Sequence, residues 1–210
     1  MRLQDLLDTY GQPELIEQLR RLQPADYDEF VDQLQKDLLY VIDLIEGDAK
    51  DFHDASEDEL NREVVRLLRA RSYTASHDHD EGGHVDIHVR SRDGRFSWLA
   101  EAKLDKGPAY LTSGVHQLSD RYARGTQDHN HGALIVYIQK NRCTERFATW
   151  RKHFSQLTAD FEGLEVADCA FRQTLAFKSR YVLQRMGAAG PKYQVLHLAV
   201  SAFRPAGVAA

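Results

Sequence analysis

Asp86, in the run "GGHVDI", and the Glu101-x-Lys103 of "WLAEAKL" are the side chains here whose types and spacing could do chemistry. Asp93-Gly94 lies between them, and Asp-Gly between alternating runs signals a hairpin with a two-residue type I′ loop. Such a loop pairs Arg92 with Arg95, sets Asp86 opposite Glu101 and sets His84 opposite Lys103. Period two then places His84, Asp86 and His88 on one face beside Leu99, Glu101 and Lys103. The other face carries Val85, Ile87, Val89, Phe96, Trp98, Ala100 and Ala102, a core set. Two carboxylates directly opposed repel each other. A hard cation such as Mg²⁺ or Mn²⁺ turns that liability into a site, because it takes oxygen ligands and retains waters or substrate phosphate oxygens. Lys103, on the same face, could hold a water or steady charge developing on a phosphate. The plain alternative is a solvent-facing strand pair with ordinary charges.

The elements around these residues follow from local signals. Two strands are expected at about Val85–Arg90 and Arg95–Lys103, with an earlier one near Tyr73. Before them, Ser56 and Glu59 form a capping-box pattern that opens a helix over "EDELNREVVRLLRARS". Leu60, Val64, Leu67 and Leu68 share one face of that helix, with Glu57 the acid nearest the stripe and Glu63 on its other flank. After the hairpin, "SGVHQLSDRYARG" predicts a helix with Val115, Leu118 and Tyr122 inward and Gly125 as its stop. The unbroken run "ALIVYI" predicts a strand buried on both faces. Strand, helix and apolar strand together make a crossover unit. A further helix is expected over Glu145–Phe161, and strands within Phe171–Leu183 and Tyr193–Phe203.

An Asp in one strand, Glu-x-Lys in the next, a helix before and a crossover after resemble the PD-(D/E)XK nuclease superfamily. The resemblance covers about Ser56–Gln139 and implies an α/β fold, a restriction-endonuclease-like αβββαβ core with a mixed sheet. Val85 stands where the literal motif has Pro. The resemblance further implies that Asp86 and Glu101, with the Ala102 carbonyl, ligate Mg²⁺ or Mn²⁺, and that Lys103 orients or activates the attacking water. Many members add an acid from the preceding helix, a part open to Glu57 or Glu63, and several carry a helical Gln after the Lys, here Gln117. DNA rather than RNA is the implied substrate, in a cytoplasmic role such as restriction, repair or phage defence.

Composition is compatible with that expectation. Of 210 residues, 42% are hydrophobic and 28% charged, which predicts a folded globular chain. No apolar run approaches the roughly 20 residues of a membrane span, so no membrane partner is expected. Cys143 and Cys169 make neither a disulfide framework nor a metal-ligand pattern, which suits a reducing compartment. Residues 1–60 hold 17 acidic against 5 basic residues, whereas residues 61–210 hold 22 basic against 15 acidic. A nucleic-acid surface therefore belongs to the second part.

Two stretches bear on partners. "QKNRCTERFATWRK" offers Lys140, Arg142, Arg146, Arg151 and Lys152, with Phe147 and Trp150 interleaved, as a track for a phosphate backbone together with Arg121 and Arg124. "SHDHDEGGHVDIH" contains His77, His79, His84 and His88, an alternative transition-metal set. Residues 1–55 form an acidic helical extension, with helices over "RLQDLLDTY", "ELIEQLRRL" and "DYDEFVDQLQKDLLYVIDLIEG", and residues 56–210 the nuclease-like domain. The extension could serve a homodimer or a partner protein, since cutting both strands of a duplex favours two sites. The rival from another class is a non-catalytic interaction module that keeps the fold.

Overall fold

In the computed structural model, residues 13–80, 84–187 and 190–203 are described. The helix expected over Arg2–Tyr10 lies outside them, as do the side chains of His79, His84 and Tyr122.

A sheet whose central strands are buried on both faces organises the chain. Its strands are β1 (Thr74–Asp80), β2 (His84–Arg90), β3 (Ser97–Leu104), β4 (His131–Ile138), β5 (Glu165–Asp168), β6 (Ala176–Tyr181) and β7 (Tyr193–Ser201). They form one mixed seven-stranded sheet in the order β1-β2-β3-β4-β7-β6-β5. The β3–β4 and β4–β7 pairs are parallel and the other neighbours antiparallel. The chain is therefore α/β, and β4 runs between two parallel neighbours, as its unbroken apolar sequence requires.

Helices cover both faces. They are α1 (Pro13–Leu22), α2 (Tyr27–Gly47), the short α3 (Ala49–Phe52), α4 (Glu57–Ala70), α5 (Pro108–His116) and α6 (Cys143–Phe154). On one face Ile87, Val89, Trp98, Ala100 and Ala102 join Leu34, Leu38 and Ile42 of α2 and Leu60, Val64 and Leu68 of α4. On the other, Leu134 and Val136 of β4 meet Leu111 and Val115 of α5 and Phe147, Trp150 and Phe154 of α6. Each large apolar side chain so buried contributes about 1.5–3 kcal/mol.

The α2 helix thus packs in the same core as the hairpin. Asp26 caps it by accepting the Glu29 N–H. A buried ionic knot ties it to its neighbours. Asp37 of α2 accepts from Arg21 Nε at 2.6 Å, Arg71 Nε at 2.7 Å and Tyr73 Oη at 2.7 Å.

The loop is not a two-residue type I′ turn. Ser91 N–H donates to Phe96 O, Gly94 N–H donates to Ser91 O, and of Asp93 and Gly94 only Gly94 has a positive φ, 76°. Arg92 through Arg95 therefore form a four-residue loop, and Arg92 does not pair with Arg95. The register survives, with Ile87 opposite Ala100 and Val89 opposite Trp98, because both loops are centred on the same bond. The crossover helix starts at Pro108, where a proline suits the first turn, and residues 117–122 are a π-helical turn rather than a plain continuation. The α6 helix starts and ends earlier than expected, at Cys143 and Phe154, and the short, largely exposed β5 has no apolar run that would predict it.

Candidate active site

Glu57 is the first residue of α4, held there by the capping box in which Ser56 and Glu59 exchange hydrogen bonds. The positive end of the helix favours a carboxylate at this position. Its Oε2 accepts the Leu104 N–H at 2.7 Å, which anchors the start of α4 to the end of β3.

Asp86 does not stand in ladder register with Glu101. The β2–β3 pairing ends at Ile87–Ala100, and past it the Asp86 Oδ2 accepts the Ala102 N–H at 2.8 Å. The side chain takes the hydrogen bond that a continuing strand would have supplied. In a strand the N–H and C=O of one residue point to the same side, so the Ala102 carbonyl also faces β2.

Glu101 and Lys103 lie on the β3 face turned towards α5. The Lys103 Nζ is 2.6 Å from Glu101 Oε1, 3.7 Å from Glu57 Oε1 and 3.9 Å from Asp86 Oδ2. One ammonium thus meets carboxylates from three elements. Glu101 and Lys103 are nearly closed to solvent, with side chains 3% and 9% exposed, whereas Glu57 and Asp86 are 25% and 22% exposed. A Cβ added at Gly114 of α5 would stand 3.1 Å from Lys103 Cγ, so that glycine lets the helix lie against the lysine stem.

Two of the acids, Glu101 and Asp86, resist ionisation. Burial, then the Asp86 charge, pushes Glu101 up to about 7. Burial also raises Asp86, against the Ala102 N–H and Lys103. Burial works against the Lys103 charge, but Glu101, Asp86 and Glu57 outweigh it and raise the group. Burial drives the two carboxyl shifts, and the surrounding carboxylates drive that of the lysine.

Among the described residues, no group of three or more His, Cys, Asp or Glu is arranged to hold a metal ion as it stands. The donor set nonetheless fits a hard cation. It is all carboxylate oxygen, Lys103 acts as a stand-in cation among the acids, and Glu101 Oε2 is buried with no hydrogen-bond partner.

Other expected site residues fall elsewhere. Glu63 is spent on Arg66, with Nη2 to Oε1 at 2.6 Å, so Glu57 is the helix acid that joins the cluster. Gln117 opens the π-helical turn and lines a cleft with Ser113, His116, Asp120 and Arg121. Arg121, Arg124, Lys140, Arg142 and Lys152 are exposed, and Arg146 pairs with Asp105 at 3.1 Å. Phe147 and Trp150 are not interleaved surface aromatics: both are buried, and they pack in the core beneath α6. Of the histidine set, His77 sits 3.4 Å from Asp58 and His88 is buried against Ser97.

Asn61 and Tyr137 also border the site. The Tyr137 hydroxyl donates to Asn61 Oδ1 at 2.8 Å in the core beside the cluster. The available signal was a polar residue inside the apolar stripe of α4, one turn beyond Glu57.

No protein-family model, curated protein or solved structure matches the chain. No helix among the described residues is long and apolar enough to cross a membrane.

Proposed function

We propose that this protein is a metal-dependent nuclease with a restriction-endonuclease-like core, hydrolysing phosphodiester bonds in DNA in preference to RNA. The observation that carries this reading is the meeting of Glu57, Asp86 and Glu101, from α4, β2 and β3, around Lys103 Nζ. The element order supports it, since α4, β1, β2, β3, α5 and β4 run in the sequence αβββαβ.

Asp86 and Glu101 would hold Mg²⁺ or Mn²⁺, with Glu57 and the Ala102 carbonyl completing the protein's share of ligands. The bound ion supplies Lewis-acid activation of the phosphodiester and of water. The chain does the rest. The Ala102 and Leu104 N–H groups hold the Asp86 and Glu57 carboxylates, which limits their reorganisation on binding. Lys103, whose stem lies beside Gly114, would orient the attacking water or balance charge that grows on the phosphate. Arg121, Arg124, Lys140, Arg142, Arg146 and Lys152 supply positive charge for the nucleic-acid backbone.

The test compares wild type with Glu101→Gln on supercoiled plasmid, single-stranded DNA and RNA, each with Mg²⁺, Mn²⁺ or EDTA. Cleavage that needs metal and is lost in the variant is the expected result. No cleavage by wild type, together with no Glu101-dependent Mn²⁺ binding in calorimetry, would overturn the reading in favour of a non-catalytic interaction module.

A further inference from the structure

Asn61 is a buried amide in an apolar stripe, 1% exposed, and its two N–H donors are unused. Its Oδ1 accepts the Tyr137 hydroxyl at 2.8 Å, while its Nδ2 is buried with no partner. An orphaned buried donor of this kind costs about 1–3 kcal/mol and calls for an explanation.

The surroundings supply one. Asn61 lies four residues beyond Glu57 on α4, hence on the same helix face. Glu57 is bonded to the Leu104 N–H, and Leu104 is the register partner of Tyr137 in β4. Glu57, Asn61 and Tyr137 therefore bound one corner of the acidic cluster. Tyr137 keeps its proton, since burial first and then the charges of Asp86 and Glu57 oppose ionisation. It is thus a steady donor that claims the Asn61 oxygen.

We propose that Asn61 is a positioning residue of this site, its free amide N–H groups donating to the Glu57 carboxylate when a divalent cation is bound. This rests on the nuclease reading above. Groups that hydrogen-bond a ligating carboxylate are worth about 10–100-fold in metal affinity.

The double variant Asn61→Leu/Tyr137→Phe tests it, because removing both partners of a buried hydrogen bond is close to neutral for folding. Calorimetry with Mn²⁺ should show binding about 10–100-fold weaker, with metal-free thermal unfolding close to wild type. Tyr137→Phe alone, which keeps the amide, should bind within about threefold of wild type. Unchanged Mn²⁺ affinity in the folded double variant would overturn the assignment while leaving the nuclease reading intact. Absence of Glu101-dependent Mn²⁺ binding in wild type would overturn both. Should the double variant fail to fold, the side-chain amide resonances of Asn61 in wild type decide. A shift on adding Mg²⁺ that is absent in Glu101→Gln supports the role, and no shift overturns it.

Discussion

Lys103 Nζ sits 2.6 Å from Glu101 Oε1, two positions apart on one face of β3, and both side chains are nearly closed to solvent. The lysine is therefore the internal counterion of the most buried acid in the cluster. Replacing it by Met is expected to lower metal-dependent cleavage by about 10²-fold or more. Mn²⁺ binding should persist, because the metal takes over the charge balance. Cleavage rates and calorimetry on Lys103→Met read the two effects separately. Loss of Mn²⁺ binding along with activity would place Lys103 in metal binding rather than in the chemistry.

The pH dependence follows from Glu101. Its carboxyl is pushed up to about 7 by burial and by Asp86, against about 4.3 in an unfolded chain. The folded state binds more protons between those values, so metal-free stability falls as pH rises through the window and levels off above it. A metal ion needs the ionised form, so Mn²⁺ affinity should climb with pH, by up to about tenfold per unit, and flatten above about pH 7. Denaturation and calorimetry over that range check both signs. An affinity independent of pH across the window would contradict this account.

Asp37 has the opposite sign. Burial opposes its charge, yet Arg21, Tyr73, Arg71 and Gln33 outweigh burial and hold it below the ordinary carboxylate range. Its stabilisation is present above the unfolded value of about 3.9 and is lost as pH falls through the lower folded value. Asp37→Ala removes the acceptor shared by Arg21, Arg71 and Tyr73, leaving Arg21 with Glu17 alone, and should cost about 3–5 kcal/mol. Urea denaturation at neutral pH measures this, with Mn²⁺ binding unchanged. A cost below about 1 kcal/mol would mean that the knot behaves as a surface ion pair.

Gly114→Ala tests how tightly the lysine must be held. The new Cβ would lie 3.0 Å from Leu134 Cδ1 and 3.1 Å from Lys103 Cγ. Crowding of this kind costs about 1–3 kcal/mol, and displacing the lysine should reduce cleavage by about tenfold or more, a loss that the stability change alone does not explain. Full activity with normal stability would show that the lysine adapts.

Arg142 and Lys152 are exposed cations on and beside α6. If they follow the backbone of bound DNA, each Ala variant should weaken binding evenly across sequences and reduce the salt slope by about one. Affinity measured against salt concentration reports this. An unchanged slope would remove that residue from the track.

Much of the hairpin was legible because strand periodicity leaves little choice. Ile87, Val89, Trp98 and Ala100 were expected on a core face and are buried there. The pairing of Ile87 with Ala100 held although the turn type did not, since loops of two and four residues about the same centre give one register. Ser56 and Glu59 form the capping box that their spacing predicts. The helical residues Phe147, Trp150 and Phe154, at spacings of three and four, carried a core signal that their basic neighbours obscured.

Local patterns in the chain determined its α/β character, the alternation that separates Asp86 and Glu101 from the core face, and the strand–helix–strand crossover that makes β3 and β4 parallel. Those properties depend on residues close together in sequence. Tertiary structure alone decided that Glu57, not Glu63, reaches the acids, because that depends on how α4 lies across the end of β3. It also decided that Asp86 leaves the ladder to bond Ala102, and that Asp37 gathers Arg21, Arg71 and Tyr73 from 16, 34 and 36 residues away. Side chains so far apart meet only where packed elements bring them together, and burial then gives their charges the pairing they need.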